Sequence, residues 1–312
     1  MKILSDNHVL TDTDTVITVG TFDGIHLGHK SIIQKLTETA RKRNCKSVVF
    51  TFNNHPRNVL QSDKWLKLIT TIQERNTLLS QMGVDYIYIQ DFTKSFSQLT
   101  GSAFIQSMLI EKLNLKHLIV GYDHHFGRDR LGDINTIKNI GLVSGFDVSK
   151  VEPLEIGNIK VSSSKIRKAL ESGDIHIANQ LLGYDFFITG TIIQGNKLGR
   201  EIGYPTANVK ITDSLKLVPA TGVYAVEAIV KNQNYIGMMN IGFRPTVTEN
   251  SSASSIEIHL IDFEGDIYES DITVMFKLKI RNEKKFESIT DLQAQLAKDK
   301  EYVKRLLYYS RY

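Results

Sequence analysis

The sequence predicts two successive folds: an N-terminal α/β half built on a doubly wound parallel sheet, and a C-terminal antiparallel β half closed by a terminal helix. Three observations predict this. The length of 312 residues favours two domains over one. From Val16 to about Leu182, short β-branched runs alternate with amphipathic stretches, the pattern of a parallel sheet wrapped by helices. Beyond Gly183 the rhythm becomes period-two strands separated by Gly, Asn and Pro turns, with no helix signal until about Thr290. The expected domains are therefore residues 1–182 and 183–312.

In the first half the expected strands are Val16–Gly20, Ser47–Phe52, Tyr86–Ile89 and His117–Gly121, each apolar enough to be covered on both faces. After His29, Ile32, Ile33, Leu36 and Ala40 recur at helical spacing, while Lys30, Glu38, Arg41 and Lys42 fill the other face. A second amphipathic stretch runs from Thr100 to Leu113. In the second half, Ile272, Val274, Phe276, Leu278 and Ile280 share one strand face. Gly222–Val230 and Tyr235–Ile241 flank the turn-like Lys231–Asn234, which predicts a hairpin. Such strands close into a small barrel or sandwich, and Asp291–Tyr309 reads as the closing helix.

Composition narrows the function classes. Apolar residues at 41% and charged residues at 23% describe a folded chain rather than a disordered one. The net charge is only +4, and the second half holds sixteen basic and sixteen acidic side chains, so neither half is a basic patch suited to nucleic acid. The single cysteine, Cys45, can form no internal disulfide and no multi-cysteine metal site. The N-terminal MKILSDNHVLTDTD lacks an apolar signal core, and no run of apolar residues is long enough to span a bilayer. A cytoplasmic protein with no membrane partner is the expectation.

Gly20-Thr21-Phe22-Asp23-Gly24-Ile25-His26-Leu27-Gly28-His29 follows a strand and opens a helix, where open α/β sheets bind ligands. Its glycines let the backbone approach an anion, and the helix start offers free N–H groups and a partial positive charge. His26 and His29 can project together and stabilise charge on nucleotide phosphates. A surface histidine pair is the plainer alternative. Val161-Ser162-Ser163-Ser164-Lys165-Ile166-Arg167 places hydroxyls and a forked cation before a helix, which suits phosphates or, more simply, an N-cap with a solvated arginine.

The first segment resembles the signature of the HIGH-type nucleotidyltransferases, and specifically its flavin adenylyltransferase version. The second resembles that family's Ser-Ser-Thr-x-Ile-Arg loop, with Ser164 in the threonine position. The resemblance implies a Rossmann-like domain in which Gly20, Thr21, Phe22, Asp23, Gly24, His26, Gly28, His29, Ser162, Ser163, Ser164 and Arg167 bind ATP. Within that set it gives His26, His29 and Arg167 catalytic roles. Thr51-Phe52-Asn53-Asn54-His55-Pro56 is similar to the family's flavin-contacting loop, with Asn54 where proline is common. Gly121-Tyr122-Asp123-His124-His125-Phe126-Gly127 is similar to a loop touching both nucleotide and flavin, with a histidine pair as a departure. These imply FMN contacts at Asn53, His55, Pro56 and Phe126, and an ATP contact at Asp123.

In the β half, the stretch from Gly190 to Asn208 is glycine-dense and ends in Pro205-Thr206-Ala207-Asn208; a Walker-type GxxxxGK[ST] is absent. Pro-Thr-Ala-Asn alone would be an ordinary turn. The stretch resembles the riboflavin kinase signature GxxxGRxxGxPTAN. That implies ATP contacts at Gly195, Lys197, Gly199, Arg200, Gly203, Pro205, Thr206 and Asn208, and Mg²⁺ at Thr206 and Asn208, whose two hard oxygens suit an ion shared with ATP phosphates. In Ser255-Ile256-Glu257-Ile258-His259-Leu260, alternation puts Glu257 and His259 opposite the apolar face. A solvated strand charge is the plain reading of Glu257; the resemblance implies the catalytic base beside the flavin, with Arg281 helping to close the flavin site.

The resemblances occur in the order found in the bifunctional riboflavin kinase and FAD synthetase family of bacteria. They imply phosphorylation of riboflavin to FMN by the C-terminal half, then adenylylation of FMN to FAD by the N-terminal half. ATP is the co-substrate, Mg²⁺ the cofactor, and ADP and pyrophosphate the by-products. A nucleotidyltransferase with another small phosphate acceptor, or a non-catalytic flavin-binding regulator, are the alternatives. The sequence sets no oligomeric state.

Overall fold

The computed structural model describes residues 1–5, 8–61, 65–122, 125–128, 133–194, 202–243 and 254–308. It divides into two compact units, Met1–Ser163 and Ser164–Tyr312.

The first unit is a six-stranded parallel sheet formed by β1 (Lys2–Leu4), β2 (Thr15–Val19), β3 (Lys46–Phe52), β4 (Tyr86–Gln90), β5 (Leu115–Gly121) and β6 (Asp147–Val151). Its spatial order is β1-β4-β3-β2-β5-β6. All four expected strands are present. β1 and β6 are additions that the sequence pattern did not signal, because one has three residues and the other, Asp-Val-Ser-Lys-Val, is half polar. Alternate residues of one strand enter opposite cores. Ile17 and Val19 join Phe50, Tyr88, Phe104 and Leu118 on one face, while Val16, Val49, Ile87 and Ile119 meet Ile33, Leu36 and Leu79 on the other. This two-sided burial is why these strands read as continuous apolar runs.

Helix α1 (Leu27–Lys42) follows β2 and buries Ile33, Leu36 and Ala40, with Arg41 and Lys42 in its last turn where cations favour the macrodipole. α2 (Pro56–Leu60) and α3 (Ile72–Gln81) follow β3; Thr71 and Glu74 cap the start of α3 with a reciprocal capping box. α4 starts at Gly101–Phe104 and continues as a π-helix over Ile105–Glu111, inside the stretch expected to be helical. α5 (Ile134–Ser144) precedes β6, and the small hairpin β7 (Glu155–Ile156) and β8 (Ile159–Lys160) ends the unit.

The second unit is a closed barrel of β9 (Phe187–Ile193), β10 (Ala207–Lys210), β11 (Gly222–Val230), β12 (Gln233–Phe243), β13 (Ser254–Leu260) and β14 (Asp271–Arg281). Its order is β10-β13-β12-β11-β14-β9. The structure thus selects a barrel from the two architectures that the pattern allowed. The β11–β12 turn is tighter than the four residues expected. Val230 pairs with Gln233, leaving only Lys231 and Asn232 in the loop, with φ of 48° and 61°. Two successive positive φ values are the type I′ geometry that matches strand twist.

On β14, Ile272, Val274 and Phe276 are buried; Leu278 and Ile280 are only half-buried, in the stretch where the β11 pairing shifts register twice. Helix α8 (Ile289–Tyr308) covers one outer wall, with Val303 and Leu307 against Ala225, Ile236 and Met238. Helices α6 (Ser163–Ser172) and α7 (Ile175–Leu182) also bond to the barrel. The Ala220 N–H donates to the Leu170 carbonyl, and Asn179 Nδ2 donates to the Phe276 carbonyl.

Candidate active sites

In the parallel sheet the strand order reverses beside β2, whose neighbours are β3 and β5. The crevice at the carboxyl end of such a pair is where open α/β sheets receive ligands. The loop from Gly20 to His29 sits there. Phe22 and Ile25 are buried non-glycine residues at φ of 48° and 35°, a backbone conformation costing about 1–3 kcal/mol each that accumulates at functional sites. Gly24 also has a positive φ of 87°, and a Cβ there would lie 3.0 Å from Ile69 Cγ2.

Asp23, 4% exposed, is the internal anchor of this loop. Its carboxylate accepts the Ile69 N–H at 3.1 Å and the Thr70 N–H at 3.0 Å, while Thr70 Oγ1 accepts the Gly24 N–H at 3.0 Å.

His26 is the N-cap of α1, and its Nδ1 accepts the backbone N–H of His29 at 3.2 Å. Accepting there leaves the neutral ring with its proton on Nε2. The two imidazoles stack at 3.6 Å with 12° between their planes. Phe22 meets His29 edge-on at 5.1 Å. Burial above all, and then the neighbouring His26, push the His29 pKa well below the ordinary histidine range. His29 is therefore uncharged at neutral pH, and its buried Nδ1 has no protein partner among the described residues. Gly28 leaves room for this arrangement, since a Cβ there would stand 3.3 Å from the His26 ring.

Beside the loop, a small cleft is lined by Thr21, Phe52, Asn53, His55, Thr70 and Arg75. Arg75, which the sequence reading did not single out, is 7% exposed. It donates from Nη1 to the Thr21 carbonyl at 3.0 Å and from Nη2 to the Phe52 carbonyl at 2.9 Å, tying together the chain ends after β2 and β3. Burial lowers its pKa to about 10, with Asp23 opposing. Asn53 donates to Asp91 at 2.8 Å. His55 caps α2 by accepting the Arg57 N–H at 3.2 Å, and Pro56 opens that helix. Phe126 is 2% exposed and stacks on Phe104 inside the core.

Ser163 Oγ donates to the Asp23 carbonyl at 2.9 Å, bringing the hydroxyl loop to the histidine loop. Ser162 is half-buried, Ser164 is exposed, and Arg167 is buried on α6. Asp123 and its neighbour His124 lie outside the described residues, as do Gly195, Lys197, Gly199 and Arg200.

The barrel assembles its own constellation. Glu257 on β13 pairs across the ladder with Asn208 on β10 and with Asn240 on β12. Ser255 Oγ donates to Glu257 Oε1 at 2.8 Å, and Thr206 Oγ1 donates to Oε2 at 3.4 Å. The residues expected to bind ATP and Mg²⁺ and the expected base thus meet across neighbouring strands. Gly203, at φ of 82°, and Pro205 lead into β10. Ile256, Ile258 and Leu260 are buried on the opposite face, as alternation required.

Arg281 sits at the end of β14 and donates from Nε to Asp299 on α8 at 2.9 Å. Asp299 is 2% exposed and also accepts from Gln295, so this pair ties helix to barrel. Asp299, Thr70 and Arg75 carry no local motif; only their long-range contacts reveal them.

No group of His, Cys, Asp or Glu able by itself to hold a metal occurs among the described residues, and none of their helices is long and apolar enough to cross a membrane.

Comparison with known proteins identifies the family of each half. The sequence model of the FAD synthetase family matches residues 9–165, and that of the riboflavin kinase family matches residues 182–307. The chain is 37% identical over 303 residues to the bifunctional riboflavin kinase/FMN adenylyltransferase of Escherichia coli strain K12, covering 96% of each chain. It is 39% identical over 305 residues to the Bacillus subtilis strain 168 protein of the same name, again covering 96% of each. A crystal structure described as a macrolide-efflux protein from Streptococcus pneumoniae superposes with a TM-score of 0.89 at 33% identity, covering 97% of this chain and 98% of that one. With two motif-bearing folds in the same order as these relatives and near-complete coverage, the chain belongs to the bifunctional riboflavin kinase/FMN adenylyltransferase family.

Proposed function

We propose that the chain makes FAD from riboflavin in two ATP-dependent steps, with the kinase domain at residues 183–312 and the adenylyltransferase domain at residues 1–182. The observation that carries the reading is the meeting of Thr206, Asn208 and Glu257 across β10 and β13 in a chain that also stacks His26 on His29 after β2.

In the kinase step the riboflavin 5′-hydroxyl attacks the γ-phosphorus of ATP. A new O–P bond forms, the γ-phosphorus to β-bridging-oxygen bond breaks, and ADP leaves. Glu257 takes the hydroxyl proton, a contribution of about 10²–10⁴ in rate. Ser255 and Thr206 orient its carboxylate. The donor set fits Mg²⁺: Thr206 and Asn208 supply neutral oxygens, leaving other positions to water and phosphate. When bound, the ion offsets charge on the transferring phosphoryl group.

In the adenylyl-transfer step an FMN phosphate oxygen attacks the α-phosphorus of a second ATP, and pyrophosphate leaves as the α–β bridge breaks. His26 and His29 donate to the phosphates, His29 from a neutral imidazole, and the N–H groups of the strained loop add to them. Arg167 offsets charge on the departing pyrophosphate, with Ser162, Ser163 and Ser164 contributing hydroxyls. Asn53 and His55 border the cleft that this reading gives to the flavin, and Pro56 follows them in sequence. By the family likeness this step would also use Mg²⁺, bound with the ATP phosphates, and the proposed site of action is the cytoplasm. Incubation of purified protein with riboflavin, ATP and Mg²⁺, followed by chromatography, tests the reading; FMN and then FAD are expected.

A further inference from the structure

His259 stands on β13 two residues beyond Glu257, so the two side chains leave the same strand face. Its side chain is 7% exposed and meets the Tyr204 ring edge-on at 5.4 Å. Nδ1 lies 2.8 Å from the Pro205 carbonyl. A carbonyl only accepts, so the ring holds its proton on Nδ1 and donates it there. Nε2 is buried and has no protein partner among the described residues. The ring is thus committed to one bond, and that bond goes to the residue immediately before Thr206.

The segment from Ile202 to Thr206 belongs to no strand; ladder pairing starts at Ala207. Ile202 is reached by Gln293 of α8 at 3.3 Å, and Tyr204 packs against the cluster containing Val303 and Leu307. These contacts hold the segment two to four residues upstream of Thr206. The His259–Pro205 bond fixes the peptide that carries Thr206 itself.

We propose that His259 is a positioning residue for phosphoryl transfer, whose Nδ1–H holds the Pro205 carbonyl and thereby sets Thr206 and Asn208 against Glu257. This rests on the kinase reading of the barrel. A reacting geometry displaced by about 1 Å loses on the order of 10² in rate, and here the displacement would fall on the groups facing ATP and its ion.

The test uses full-length protein with His259→Phe, which keeps an aromatic ring without the donor, and His259→Asn, whose amide can donate from near the Nδ1 position. Should the Phe variant not fold, His259→Leu replaces it. Initial rates of riboflavin phosphorylation give kcat and the KM for ATP, while adenylylation of supplied FMN and the thermal midpoint report on the rest of the molecule. The Phe variant is expected to lose about 10² in kcat/KM for ATP, with adenylylation unchanged, and His259→Asn to recover at least about tenfold of that loss. A residue acting through Thr206 must also be non-additive with it, so His259→Phe is expected to add little to Thr206→Ala.

Wild-type kinetics in the Phe variant, equal impairment of the Phe and Asn variants, or losses that multiply in the double variant would each overturn the proposal. The wild-type control separates failure of the kinase reading: protein that forms no FMN at all removes that reading, and this inference with it.

Discussion

Asn208 and Glu257 are direct cross-strand partners, one on β10 and the other on β13, and Thr206 reaches the same carboxylate from two residues upstream at 3.4 Å. Residues 49 positions apart in sequence are thereby held by a backbone ladder rather than by flexible loops. A site mounted on a barrel wall keeps its geometry without reordering, which suits a reaction in which the protein mainly positions reactants.

Glu257→Gln keeps the shape of this partner and removes the base. Riboflavin phosphorylation is expected to fall by about 10²–10⁴, while adenylylation of supplied FMN stays at the wild-type rate. Rates followed separately with the two substrates check this.

The two sites should also separate by variant. His29→Ala is expected to stop at FMN, whereas Asn208→Ala is expected to make no FMN yet convert supplied FMN to FAD. Chromatography of the products distinguishes them, and loss of both conversions in folded protein would count against independent sites.

The motif-bearing parts were legible in the sequence because their chemistry is local. The glycine and histidine spacing after β2, the Pro-Thr-Ala-Asn ending before β10 and the alternation around Glu257 each sit within a few residues. Arg75 was not legible, since its meaning lies in the carbonyls of Thr21 and Phe52, which belong to other elements. His259 was placed on the correct face but given no task, because Pro205 lies 54 residues away. The three-residue β1 and the half-polar β6 lacked the apolar run that marked their neighbours.

Arg75→Met should test that long-range clamp. Removing the guanidinium leaves the Thr21 and Phe52 carbonyls without this donor, at a cost of about 1–3 kcal/mol for each one left buried and unsatisfied. A lower thermal midpoint is expected, together with slower FAD formation and intact riboflavin phosphorylation.

Gly24→Ala probes the strained loop. At φ of 87° and with Ile69 Cγ2 3.0 Å from the new Cβ, the left-handed backbone alone costs roughly 1–2 kcal/mol. Calorimetry is expected to show destabilisation, and adenylylation to drop more than phosphorylation.

Acid should weaken the first unit in a defined window. Burial first, with Arg43 adding, lowers the His117 pKa; burial first, with His26 adding, lowers that of His29. The unfolded chain takes up protons near pH 6.5, whereas the folded chain resists until lower pH. Below that value the unfolded state therefore binds more protons, so stability is full above about pH 6.5 and declines as pH falls toward the folded values. Melting curves between about pH 7.5 and 5.5 are expected to shift downward, and His117→Gln is expected to reduce the shift.

Time-resolved product analysis with purified protein, riboflavin, ATP and Mg²⁺ addresses the central claim most directly. FMN should rise first and then fall as FAD accumulates, with ADP formed alongside the first product and pyrophosphate alongside the second. Riboflavin left unchanged, or FMN that accumulates without FAD in the presence of excess ATP, would contradict the two-step assignment.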